Sequence, residues 1–211
     1  MTSPLPDSHT AFEGHRQLAT GALADVALAV KQALDARRHD AVLVFQDATG
    51  KQVDLDLSGD EAQIVARHAA KDVAPSTIED SPSGESQAGD VPRGRGRPKL
   101  GVVPREVTLL PRHWDWLAAQ PGGASVALRK LVEQARRDNE AQDARRQRQE
   151  AAYRFMSSVA GDLPGFEEAT RALYAEDREA YARHLAQWPR DVRRYAMDLA
   201  WGAPTAAPAA A

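Results

Sequence analysis

The chain has 211 residues, 43% of them hydrophobic, which is enough for one or two domains with a buried core. It has no cysteine, which excludes disulfides, thiol catalysis and Cys-type zinc sites, and no apolar run approaches the ~20 residues of a membrane span. The net charge of −3 conceals a segregation: 13 basic and 6 acidic residues lie between Arg93 and Arg148, whereas 72–92 holds 5 acidic residues and no basic one.

The start, Met1 to Asp7, lacks the charged and apolar regions of a signal peptide, so a cytoplasmic location is expected. Residues 10–71 read as a small N-terminal α+β module. Thr10-Ala11-Phe12 and Gln17-Leu18-Ala19 flank Glu13-Gly14, a hairpin signal. Leu23, Val26, Ala27, Val30, Ala33 and Leu34 share one side of a helix predicted from Ala22 to about Arg37. Ala41 to Phe45 is nearly all apolar and reads as a central strand, with a turn at 47–50. Val53, Leu55 and Leu57 alternate with Asp54 and Asp56, the pattern of a strand with one wet face, and a helix follows over 60–71. Asp54 to Gly59 matches the first half of a calcium loop. The bidentate Glu that such a loop needs at its twelfth position is Val65 here, so no metal is expected.

Residues 72–98 read as a disordered acidic linker ending in a basic arm, because Pro, Ser and Gly dominate it and no core can form. Arg95-Gly96-Arg97-Pro98 has the core pattern of an AT-hook, flanked by Arg93 and Lys99. Glycines keep such an arm narrow, Pro holds it extended, and arginines then fit a narrow minor groove. A short strand is expected over Arg105 to Leu109, then helices over 111–120 and 124–137, separated by Pro121-Gly122-Gly123. Ser125 is placed to cap the second helix. Trp114, Leu117 and Ala118 form one stripe, Leu128, Leu131, Val132 and Ala135 another, and the spacing of Trp114, Trp116 and Trp188 predicts core positions.

This strand–helix–helix order over 99–138 resembles the ribbon-helix-helix family of DNA-binding proteins. The resemblance implies a homodimer whose paired strands enter the major groove, with Pro104, Glu106 and Thr108 facing it. It also implies that the amides of Gly123, Ala124 and Ser125 meet a phosphate. Glu106 fits that role poorly, since phosphates repel a carboxylate.

Past Arg137 no Gly or Pro occurs before Gly161, so the second helix is expected to continue as an exposed charged rod and regain apolar residues at Tyr153, Phe155, Met156 and Val159. Within the C-terminal helical region, 139–202, three short helices are predicted. Phe166, Ala169 and Leu173 mark the first. Asp177 caps the second, and Pro189 starts the third. The six histidines show no metal-ligand spacing and no nucleophile motif is present, so no enzyme activity and no cofactor are expected.

The strings Gly96 to Val103, Arg105 to Leu117, Pro121 to Ser125 and Gly161 to Glu168 resemble a bacterial family of unassigned function, domain-of-unknown-function family twenty-two thirty-nine. The resemblance covers most of residues 10–201 and implies a soluble bacterial protein without supplying an activity. The residues themselves point to a dimeric DNA-binding protein, of the kind a transcriptional regulator needs, using Arg93, Arg95, Arg97, Lys99, Arg105, Thr108 and Ser125. The alternative is a protein–protein interaction or scaffold module that binds no nucleic acid.

Overall fold

The hairpin signalled by Glu13-Gly14 forms, and its first strand becomes the middle of a sheet. The computed structural model describes residues 8–36, 41–69, 103 and 105–202. Strands β1 (His9–Glu13), β2 (Arg16–Gly21) and β3 (Val42–Gln46) make an antiparallel sheet in the order β2-β1-β3. Helices α1 (Leu23–Asp35), α2 (Glu61–Ala69), α3 (Pro111–Ala118), α4 (Gly123–Val159), α5 (Phe166–Tyr174), α6 (Arg178–His184) and α7 (Arg190–Trp201) complete an α+β fold. The chain divides into two units, residues 1–75 with 140–211, and residues 76–139. The linker expected over 72–98 lies outside the described residues.

In the first unit, β3 is an edge strand and not the central strand its apolar run suggested. The run reports two covered faces. Val44 joins Ala11 and the α1 residues Val26 and Val30 on one face, while Phe45 joins Phe12 and the C-terminal helices on the other. All five residues of β1 are buried although three are polar. Cross-strand partners satisfy two of these: Thr10 meets Thr20 at 2.9 Å, and Arg16 bonds Glu13.

The expected strand at 53–57 does not form. Its exposure alternates as predicted, but only Gln52 bridges to Phe45, and Val53 N–H donates to Val44. Side chains of α2 then take the carbonyls that a ladder would have used. Arg67 Nη1 donates to the oxygens of Asp56 and Ser58 at 2.8 and 3.0 Å, and His68 Nε2 lies 3.1 Å from the Asp56 oxygen. Leu55 and Leu57 still pack on the α1 face. The α2 start is a capping box: Asp60 accepts from the Gln63 amide, and the Gln63 side chain accepts from that of Asp60.

The N-terminal module and the C-terminal helices share one core. Phe155 of α4 lies 5.1 Å from both Phe12 and Phe45 and 4.7 Å from Tyr195 of α7, ring centre to ring centre. Each such buried ring contributes about 1.5–3 kcal/mol through removal from water. The three C-terminal helices form as expected. Asp177 caps α6 by accepting from Ala180 N–H at 2.8 Å, and buried Trp188 donates to the Pro164 carbonyl at 2.8 Å.

The turn at 47–50 locks sheet to helices. Tyr195 donates to Asp47 Oδ1 and Ser8 to Oδ2, both at 2.6 Å, and Arg154 donates to the Thr49 carbonyl at 2.9 Å. Gly50 has φ +63°, and a Cβ there would sit 2.1 Å from the Ala151 carbonyl oxygen, so only glycine fits. Gly50→Ala is expected to cost about 2–4 kcal/mol in urea denaturation. A loss within ordinary surface-substitution scatter would contradict this docking.

Burial pushes the phenols of Tyr181 and Tyr195 far above their ordinary value of 10.0, helped at Tyr195 by the Asp47 carboxylate. A raised folded-state pKa gives stability that is whole below about pH 10, where the unfolded chain still holds its protons, and is lost as pH rises beyond that. Denaturation midpoints are expected to fall steeply above about pH 10. The fall should be shallower in Tyr181→Phe, judged against that variant's own neutral midpoint.

Candidate nucleic-acid interface

The central unit contains the stretch that the charge pattern singles out. Pro111 starts α3, and a bend at 119–122 leads into α4. Gly122 (φ +87°) and Gly123 (φ +74°) take left-handed conformations there, and the Gly123 N–H donates to the Gln120 carbonyl at 2.9 Å. The two glycines bring the chain into helix at residue 123. Ser125 therefore sits in the first turn of α4 and does not cap it, a correction to the sequence reading. The Gly123 amide is used by the bend, which leaves those of Ala124 and Ser125 as first-turn donors. The helix expected over 124–137 and its charged continuation are one 37-residue helix.

Arg93, Arg95, Arg97, Lys99 and Pro104 lie outside the described residues. Arg105, Glu106 and Thr108 are exposed on the segment before α3, and Ser125 is exposed. Residues 105–110 form no strand, because a strand is defined by its ladder and no segment among the described residues pairs with them.

Sequence reasoning passed over Arg112 and Lys130. Together with Arg105 they are exposed and have no ion-pair partner among the described residues. Lys130 has a carboxylate three residues on, at Glu133, but forms no ion pair with it. Glu133 instead accepts from Arg136 and Arg137 at 3.1 and 3.2 Å, and those bonds, Arg136 first, hold its carboxyl below the ordinary range. Arg146 and Arg154 are likewise paired along α4. Paired cations project little net field, so the unpaired ones set what a polyanion would meet.

The unit's apolar residues are largely uncovered. Among the described residues, Leu117 is the only large hydrophobic side chain of the unit that is buried, together with the small Ala127. Trp114 and Trp116 are 40% and 51% exposed, and Leu131 and Val132 are 48% and 64% exposed. The expected core role therefore holds for Trp188, in the first unit, and fails for the two tryptophans of α3 within a single chain. The eight residues of α3 and the first turns of the long α4 offer too few facing positions to cover them. Leu109, His113, Trp116, Leu117, Leu128 and Leu131 line an apolar groove of about 290 Å³.

Elsewhere, no group of three or more His, Cys, Asp or Glu residues is placed to hold a metal ion among the described residues. No helix among them is long and apolar enough to cross a membrane. A family model described as an uncharacterized protein conserved in bacteria (DUF2239) matches residues 8–200, and the chain belongs to that family. No curated protein and no solved structure matches the chain significantly.

The bend is testable by itself. Gly122→Ala places a Cβ 3.1 Å from Val126 at a left-handed φ. It is expected to destabilise the central unit by about 1 kcal/mol, read as faster amide exchange over 111–130 with unchanged protection in β1 and α7. Unchanged exchange over 111–130 would show that the bend does not hold α3 on α4.

Proposed function

We propose that this DUF2239 protein binds nucleic acid, DNA in the first place, as a homodimer built through its central unit. The observation that supports the reading is the pairing of two features in that unit. It exposes Arg105, Arg112 and Lys130, which have no ion-pair partner among the described residues, beside exposed apolar surface. The sequence adds Arg93, Arg95, Arg97 and Lys99 just before it.

In this reading two 105–109 segments pair antiparallel across a twofold axis. The pairing satisfies the main-chain groups of both and gives the open groove of each copy apolar neighbours. It also doubles the positive charge that one duplex meets. The arm follows the minor groove by width and potential, and Thr108 and the α4 start position the protein on the backbone. Glu106 limits base readout, so electrostatics carries most of the affinity. A transcriptional regulator is the role in which such binding would serve. The scaffold reading draws on the same open tryptophans, and the two separate on salt.

Duplex affinity is expected to fall with salt on a log–log plot, with a slope of about 0.9 for each phosphate neutralised. Arg95→Ala with Arg97→Ala is expected to lower that slope by about 1.8. Affinity that stays constant from low to moderate salt would reject the electrostatic account and favour the scaffold reading. Val107→Pro removes a main-chain donor in the middle of the paired segment and leaves the arm intact. It is expected to dissociate the dimer and weaken duplex binding together. A wild-type monomer at tens of micromolar in sedimentation, or a Val107→Pro variant that stays dimeric, would contradict this assembly.

A further inference from the structure

The first unit contains an open-sided cleft of about 660 Å³ whose walls include Thr10, Thr20, Asp47, Arg148, Tyr195 and Asp198. That volume falls in the range of small-molecule sites. Most of its polar lining is already committed. Asp47 accepts from Ser8 and Tyr195, Thr10 and Thr20 bond each other, and Arg194 donates to the Gln17 side chain at 2.6 Å. Such a network is fixed before any ligand arrives.

Two charges are left over. Among the described residues Arg148 has no ion pair, and the Asp198 carboxylate has neither ion pair nor hydrogen bond. They form no ion pair with each other either. Arg194 acts on Asp198 from beyond ion-pair distance, and burial raises the Asp198 carboxyl despite it. The same cleft is lined by the apolar side chains of Ala48, Ala151 and Leu199. A ligand with one charge would leave the opposite site charge without a partner, whereas a zwitterion answers both. Because the two side chains lie beyond ion-pair distance of each other, a zwitterion whose charged ends are set apart by more than a single carbon is suited to reach both.

We propose that this cleft binds a small zwitterion of dipeptide size, with its carboxylate on Arg148, its ammonium on Asp198 and its apolar side chains on Ala48, Ala151 and Leu199. The site is independent of nucleic-acid binding. The probe is L-leucyl-L-leucine, compared with its C-terminal amide, which lacks the carboxylate, and its N-acetyl form, which lacks the ammonium. Each is titrated to millimolar concentration into the full chain while the backbone amide resonances of Ala48, Ala151 and Gly202 are followed.

The dipeptide is expected to shift these resonances saturably, and each blocked form to bind about tenfold more weakly. Arg148→Gln should bind the dipeptide and its amide equally. Asp198→Asn should bind the dipeptide and its acetyl form equally. Arg148 is exposed, so its variant keeps the fold and the comparison stays interpretable. No saturable shift with the dipeptide, equal binding of all three ligands, or unchanged discrimination in both variants would overturn the proposal.

Discussion

Four aromatic rings hold the two ends of this chain together. Phe12 and Phe45 reach out from one sheet face, and Phe155 and Tyr195 meet them from helices more than a hundred residues further on. A three-stranded sheet with one helix face covered cannot close a core, so the second face needs those helices. The 47–50 turn fixes how they dock, through Asp47 on Tyr195, Thr49 on Arg154 and Gly50 against Ala151. The long intervening sequence is tolerated because closure entropy grows slowly with loop length. The central unit is thus an insertion in sequence between the two segments of the first.

The contrast between the units decides where function is sought. The first unit buries most of its large apolar side chains in shared cores, with Leu34, Tyr153 and Tyr174 among the exceptions. The central unit leaves Trp114, Trp116, Leu131 and Val132 open, and among the described residues Arg105, Arg112 and Lys130 have no ion pairs. A segment that is both apolar and unpaired in one chain is incomplete as a folding unit. The proposed second copy and the proposed polyanion answer the two deficits, the apolar one and the charged one, respectively.

Much of the fold was legible because it rests on local rules. The β1–β2 hairpin, the Asp177 cap and the stripe of α1 follow from turn chemistry, capping and period. The failures were tertiary. The apolar run of β3 could not distinguish an edge strand covered on two faces from a central one. Alternation at 53–57 correctly gave which residues face inward. It could not show that Arg67 and His68 would take the carbonyls of that segment. Trp114 and Trp116 had core spacing, yet spacing marks a face without saying whether that chain covers it. Of the candidate interface, the basic arm and Arg105 were visible as charge. The free charge of Lys130 was not legible, because whether Glu133 bonds Lys130 or Arg136 and Arg137 is set by side-chain geometry. The zwitterion cleft joins residues 10–47 to 148–198 and had no sequence signature at all.

In the proposed assembly the central unit completes itself with a second copy through residues 105–109. The chain has no cysteine, so Val107→Cys would introduce its sole thiol. Antiparallel pairing about residue 107 brings the two Cβ atoms to about 4.5–5.5 Å, within reach of a disulfide. Mild oxidation of the full-length variant is predicted to give a covalent dimer in high yield that still binds duplex, while Tyr174→Cys, at a position about as exposed as Val107 but in the first unit, stays monomeric on denaturing gels. A Val107→Cys chain that crosslinks no better than Tyr174→Cys would contradict this pairing.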